Sequence, residues 1–210
     1  MKDIVIIGAG GVGREVVWII EQINMKEDTW NIVGFIDDNE KIWGTEMNGY
    51  KVIGGLSCLD EFEIKPEVIV AIANYNVKKI IVEKLEGKLK FATVVHPDVY
   101  LNRTIKIGKG SIIYPAVIMT TNISIGNHVI VSPKCGIGHD SIIKDYVSLL
   151  WNVNISGFDV IEEGVLIGSG ATIIQGKRVG YESIVGAGAV VVKDIDGNST
   201  KVGVPTVRIK

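Results

Sequence analysis

Residues 125–172 read, six at a time, IGNHVI VSPKCG IGHDSI IKDYVS LLWNVN ISGFDV IEEGVL IGSGAT. Each group opens on an aliphatic residue. The beat extends in both directions, from Val95 through Leu101, Ile107, Ile113 and Met119, and onward through Ile173, Val179 and Val185 to Val191, without an insertion or a miss. Four residues after each member comes a second series of mostly small or β-branched residues, among them Val99, Ser111, Val129, Cys135, Ser141, Val153 and Ala171, broken only by Asp159 and Lys177. A period of six fits neither the 3.6 of a helix nor the simple alternation of a flat strand. It fits a chain that turns a corner every six residues and returns one side chain to the interior each time. Repeats this short stack into a parallel β-helix whose coils share a continuous core.

The residues before the array have a different pattern. Asp3–Ile7 reads as an apolar strand, Arg14 to Asn24 as an amphipathic helix, and Asn31–Ile36 as a second strand ending at Asp37-Asp38. Val68–Ala73 is a third strand, Asn76 to Leu85 a second helix and Phe91–Val95 a fourth strand. Strands alternating with helices imply a parallel sheet with helical cover. Two domains are therefore expected: a Rossmann-like α/β domain over 1–94 and an all-β array over 95–210. His96-Pro97 enters the array directly, since proline disfavours helix in the residue before it.

A chain of 210 residues with 47% hydrophobic content has ample material for both cores. Its net charge is −2, with Lys and Arg scattered. That argues against nucleic acid or an anionic membrane as the main partner. No apolar run approaches the roughly 20 residues that cross a bilayer. The start, Met1-Lys2-Asp3-Ile4, leads straight into a strand, so no signal peptide is expected. Cys58 and Cys135 make no disulfide framework. A reduced cytoplasm is the expected location. No cluster of His, Cys and carboxylates has metal-ligand spacing, so no metal is assigned.

Gly8-Ala9-Gly10-Gly11-Val12-Gly13 lies between a strand and a helix. Glycines there let the backbone approach a pyrophosphate, and the helix N-terminus offers it unpaired N–H groups. The acidic pair Asp37-Asp38 ends the second strand, where a carboxylate can hold a ribose hydroxyl or an amine. A tight strand–helix turn with no ligand is the alternative. A dehydrogenase would need a larger sheet and a separate catalytic domain, whereas the array occupies the rest of the chain. A nucleotide-linked ligand without redox chemistry suits this domain better.

Three histidines are present. His96, before Pro97, is expected to be structural, and His128, on a turn within a hexad, to be a solvated surface residue. In Gly138-His139-Asp140 an imidazole and a carboxylate sit side by side between the inward positions Ile137 and Ser141. His139 is thereby left at a corner, free to reach a ligand. A carboxylate neighbour raises the basicity of the ring and fixes its tautomer. Cys135 falls in the inward series and reads as a small core residue.

A glycine-loop domain fused to a hexapeptide array, with Gly138-His139-Asp140 mid-array and Gly203-Val204-Pro205 near the end, resembles the bacterial sugar acyltransferases typified by UDP-4-amino-sugar N-acetyltransferases and sialic-acid O-acetyltransferases. The resemblance spans essentially the whole chain. It implies a left-handed β-helix, a homotrimer and acetyl-CoA lying between adjacent prisms. The left-handed sense comes from the resemblance alone, since parallel crossovers are otherwise overwhelmingly right-handed. It also implies His139 as general base, Asp140 as the acid that increases its basicity, and the Gly157 backbone N–H facing the thioester oxygen. Gly10, Gly11, Val12, Asp37, Asp38 and Ala73 match nucleotide-sugar contacts, and Ser148, Ser169 and Ala187 match acetyl-CoA contacts. Relatives often carry His where this chain has Val12 and Ser148, Gly where it has Ala73, and Pro-Gly where it has Trp151-Asn152. The activity implied is acetyl transfer to the amine of a nucleotide-linked amino sugar. O-acetylation of a sugar or sialic-acid hydroxyl is the neighbouring reading, and a non-catalytic sugar-nucleotide-binding assembly protein is the reading from another class.

Overall fold

Lys2–Ile7 (β1) is an unbroken apolar run after its first two residues, as a strand covered on both faces requires. It is central in a five-stranded sheet with Trp30–Ile36 (β2), Glu46–Met47 (β3), Tyr50–Gly54 (β4) and Glu67–Val70 (β5), in the order β3-β4-β2-β1-β5. The β1, β2, β4 and β5 strands are parallel, and β3 returns antiparallel on β4. Two helices, Gly11–Lys26 (α1) and Tyr75–Leu85 (α2), follow β1 and β5. The buried face of α1 is Gly13, Val16, Val17, Ile19 and Ile20, the helical spacing of an amphipathic segment packed on a sheet. The computed structural model describes all 210 residues and divides into two units, Met1–His96 and Pro97–Lys210. Of the fourth strand expected over Phe91–Val95, the structure keeps a bridge from Phe91 to Val68 and the two-residue strand Val94–Val95.

The second unit is a left-handed parallel β-helix. Each strand pairs with the one eighteen residues on, as Ser124↔Ile142 and Ile125↔Ile143 do, so three hexads make one coil. One face stacks Ile107, Ile125, Ile143, Ile161 and Val179. A second stacks Met119, Ile137, Ile155, Ile173 and Val191. The third stacks Ile113, Val131, Leu149, Ile167 and Val185, then Thr200–Val202, on which Val207–Arg208 turns back antiparallel. From Ile113 to Val191 the whole inward series is buried. Of the earlier members, Val95 and Ile107 are half-buried and Leu101 is 42% exposed. Leu101 lies in no strand, between Val94–Val95 and Lys106–Ile107.

The corners have a single solution. Every sixth residue from Gly110 to Gly188 has a positive φ, between 52° and 72°. An L-residue in that left-handed region is strained by roughly 1–2 kcal/mol, least for Asn and Asp. The positions are accordingly filled by Gly, Asn122, Asp140, Asn152 and unbranched or aromatic residues, and by no β-branched one. Small inward residues stitch the coils together: Ser111 Oγ donates to the Gly126 carbonyl and Ser141 Oγ to the Ser156 carbonyl, each at 2.9 Å. The two breaks in the second series are neighbours across one coil step. Asp159 points inward, and its Oδ1 accepts the Lys177 backbone N–H at 2.7 Å.

Candidate functional site

His139 follows Gly136–Ile137 and reaches the corner one residue before Asp140, whose φ is 59°. The left-handed turn folds the Asp140 side chain back beside the ring, and Nδ1 lies 2.8 Å from Asp140 Oδ2. A carboxylate only accepts, so Nδ1 carries the proton and the lone pair is left on Nε2. Side-chain exposures of 45% for His139 and 35% for Asp140 leave the pair open to a ligand. The other carboxylate oxygen, Oδ1, accepts from Asn122 Nδ2 at 3.0 Å. Donation from His139 first, and from Asn122 second, holds the Asp140 carboxyl below its ordinary value, so it stays ionised beside the ring.

One coil above, Gly157 and Phe158 shape the seat of the imidazole. The Phe158 ring meets it edge-on, with centroids 4.9 Å apart and planes at 89°. A Cβ placed on Gly157 would stand 2.6 Å from both His139 Cε1 and Nε2, so only glycine admits the ring in this position. Sequence reasoning missed Asn122 and Phe158. Their signal is the spacing of eighteen: both occupy the same left-handed corner as Asp140, one coil below and one above.

The remaining expected residues fall elsewhere on the prism. Ser169 and Ala187 are exposed and stack one coil apart at the corner after Leu166–Ile167, a different corner from that of His139. Ser148 is buried beside Leu149 within the chain, so its hydroxyl is not on the open surface. Cys135 is inert: Sγ donates to the Leu150 carbonyl at 3.0 Å, and burial pushes the thiol up to about 11. His128 is not solvated as expected. It is 2% exposed and stacked on Tyr146 eighteen residues on, with ring centroids 5.3 Å apart. His96 is structural, buried with Nε2 3.0 Å from Gln22 Oε1.

In the first unit the four loop glycines separate into two kinds, and Gly8, with φ of 102°, belongs with Gly13 among those fixed by the fold. A Cβ on Gly13 would come 1.9 Å from the Gly8 carbonyl oxygen, so that glycine is required by helix–strand packing alone. At Gly10 and Gly11 a Cβ would meet nothing within 4 Å, and neither has a positive φ. Packing does not explain their lack of side chains. Gly10 caps α1 with no side-chain hydrogen bond. Asp37 holds this loop, its Oδ2 accepting from Ala9 N–H at 2.8 Å and its Oδ1 from Asn39 N–H at 3.0 Å. Asp38 is exposed, while Val12 and Ala73 are half-buried at the ends of the same segments. An open cavity of about 370 Å³ adjoins Gly11 and is lined by Arg14, Glu15, Trp18 and Asn48. No helix is long and apolar enough to cross a membrane.

Comparison with known proteins identifies the family. A family model described as the PglD N-terminal domain matches residues 3–85. GDP-perosamine N-acetyltransferase of Escherichia coli O157:H7 is 32% identical over 185 residues, covering 87% of this chain and 82% of that protein. This chain belongs to the hexapeptide-repeat sugar acyltransferases. Two solved structures share the fold end to end. WeeI from Acinetobacter baumannii AYE is 30% identical with a TM-score of 0.88, covering 100% of both chains. The acetyltransferase domain of PglB from Neisseria gonorrhoeae FA1090, in complex with acetyl coenzyme A, is 26% identical with a TM-score of 0.89, covering 99% of both.

Proposed function

We propose that this acyltransferase is an acetyl-CoA-dependent N-acetyltransferase acting on the primary amine of a nucleotide-linked amino sugar, with His139 as general base. The observation that carries the proposal is the 2.8 Å pairing of His139 Nδ1 with an ionised Asp140, which leaves the Nε2 lone pair as the acceptor. The amine attacks the thioester carbonyl as Nε2 removes its proton, and the resulting imidazolium is stabilised by Asp140. The Gly157 backbone N–H stabilises the oxyanion of the tetrahedral adduct. Collapse of the adduct breaks the carbon–sulfur bond, and the imidazolium gives its proton to the leaving thiolate, which departs as coenzyme A.

The nucleotide is held in the first unit. The open backbone at Gly10 and Gly11 takes the diphosphate, with Val12 and Ala73 flanking it, and Asp38 with the remaining capacity of Asp37 serves the sugar or ribose hydroxyls. Ser169 and Ala187 hold acetyl-CoA; Ser148, buried on the strand that pairs with Leu166–Ile167, offers the cofactor no open hydroxyl. Ser169 and Ala187 lie on a different corner from His139, which supports a homotrimer in which a neighbouring copy brings the two corners together. Exposed aliphatic residues on all three faces, Ile118, Ile142 and Ile184, agree with this assembly. A monomeric mass by light scattering at micromolar concentration would overturn the trimer.

Coenzyme A release with a panel of UDP-, dTDP- and GDP-linked 4-amino sugars tests the activity. Turnover of an amino sugar with none on its hydroxyl counterpart is expected. Turnover confined to hydroxyl acceptors would assign O-acetylation, and no turnover with any acceptor would favour a binding role.

A further inference from the structure

We propose that Asn122 is a positioning residue for the reaction, its side-chain amide holding the Asp140 carboxylate in the orientation that aligns His139. The inference rests on His139 being the base. Asp140 divides its two oxygens between two donors: Oδ2 faces the ring at 2.8 Å, and Oδ1 takes the Asn122 Nδ2 hydrogen bond at 3.0 Å. Held by one donor alone, a carboxylate on a half-exposed corner rotates about its terminal torsion, which has a broad, roughly two-fold minimum. The second donor removes that freedom. Asn122 reaches it because both residues occupy the left-handed corner position one coil apart, with φ of 55° and 59°, so their side chains leave the backbone in the same direction.

Asn122 is itself fixed from beneath. Its backbone N–H donates to Thr104 Oγ1 at 2.8 Å, and that hydroxyl donates to Asn102 Oδ1 at 2.6 Å while lying 3.0 Å from Thr121 Oγ1. By the eighteen-residue register, His139 and Asp140 have Thr121 and Asn122 below them and Gly157 and Phe158 above. None of the four titrates, so Asp140 is the charge that this stack presents to the ring.

A second Asn–Asp ladder in the same prism provides a comparison. Asp145 Oδ1 accepts the backbone N–H of Asn127 at 2.8 Å, and its Oδ2 accepts Asn127 Nδ2 at 3.1 Å. There the Asn closes both oxygens in a clasp between coils. At Asp140 the Asn engages one oxygen and leaves the other for a histidine.

The test follows the His139 ring resonance against pH by NMR, identified by its loss in His139→Ala, together with steady-state kinetics. Asn122→Gly removes the amide and suits the left-handed backbone. It should move the His139 titration midpoint down, toward that of Asp140→Asn, and lower kcat about tenfold with the KM for acetyl-CoA unchanged. In an Asp140→Ala background, Asn122→Gly should add no further loss of kcat. Asn127→Ala should lower thermal stability and leave the midpoint in place. An unmoved or raised midpoint in Asn122→Gly, or the same loss of kcat with and without Asp140, overturns the inference even where His139→Ala is inactive. Full turnover by His139→Ala would instead remove the base, and with it any positioning of a base by Asn122.

Discussion

Asp37, at the end of a strand, and Asp140, at a corner between strands, are both carboxylates, and they are put to opposite uses. Asp37 turns both oxygens onto its own backbone, at Ala9 and Asn39, and so builds the glycine loop. Asp140 turns both oxygens onto side chains, His139 and Asn122, and so acts on the electronics of a ring. A carboxylate that satisfies backbone N–H groups is part of the architecture, because removing it orphans donors the fold has already committed. One that satisfies side chains on an open corner is dispensable for folding and is available to chemistry. The same contrast separates the glycines. Gly13 and Gly157 are excluded from growing a side chain by the atoms packed against them, whereas Gly10 and Gly11 are bare toward open space.

The largest effect should come from the ring that Asp140 serves. His139→Ala is expected to lower turnover by about 10²- to 10⁴-fold, the range of a positioned general base, with acetyl-CoA binding retained and the fold intact. Gly157→Ala tests the seat rather than the base. Its Cβ displaces the imidazole, and a misplacement near 1 Å costs about 10²-fold in rate. Steady-state kinetics with chemistry limiting check both. If either variant turned over at the wild-type rate, the corner would not be the catalytic side of the comparison.

Next in size is the carboxylate used as architecture. Asp37→Ala strands two backbone donors and is expected to reduce stability by about 1–3 kcal/mol as well as weakening sugar-nucleotide binding. Asp38→Ala should weaken only binding. Thermal unfolding and calorimetric titration separate the two, and acetyl-CoA affinity should stay unchanged in each. An equal stability loss in both variants would erase the distinction between Asp37 and its neighbour.

The smallest effect belongs to a third carboxylate, Asp159, which is fully buried in the prism with Oδ2 lacking a partner. Burial raises its carboxyl above the ordinary value, with the Lys177 N–H the largest opposing influence. Between the ordinary value near 4 and the raised one, the folded chain therefore holds a proton that the unfolded chain has lost. Stability falls as pH rises through that window, and at neutral pH the ionised group is a cost. Asp159→Asn keeps the acceptor for Lys177 and removes the charge. A gain of about 1 kcal/mol or less at pH 7 is expected, fading below about pH 4, where the wild-type group is neutral. Denaturant unfolding at the two pH values checks it. A loss at pH 7 would mean that the charge, rather than the Oδ1 acceptor, is what the coil needs.

Much of this was legible in the chain. The six-residue beat picked out an inward series that is buried from Ile113 to Val191, and the adjacency of His139 and Asp140 placed the dyad at a corner. Leu101 kept the beat yet is exposed and lies in no strand, because a repeat marks a potential inward position and the core exists only where coils stack. His128 was misread for a related reason: its neighbours in sequence are polar, and the group that covers it, Tyr146, arrives eighteen residues later. Asn122 went unnoticed because its partner is again eighteen residues away. The Gly8–Gly13 motif was visible, but which of its glycines serve packing and which leave backbone open was not.

The sequence by itself therefore determined the prism, the two-domain order and the identity of the candidate base, because the turn every six residues and the His139–Asp140 pair are short-range features of the chain. Only the tertiary structure decided which residues attend that base. Asn122, Gly157 and Phe158 meet His139 and Asp140 through the stacking of coils. That register is set by backbone hydrogen bonds between strands eighteen residues apart, so contact across coils follows the pitch of the helix rather than proximity along the chain.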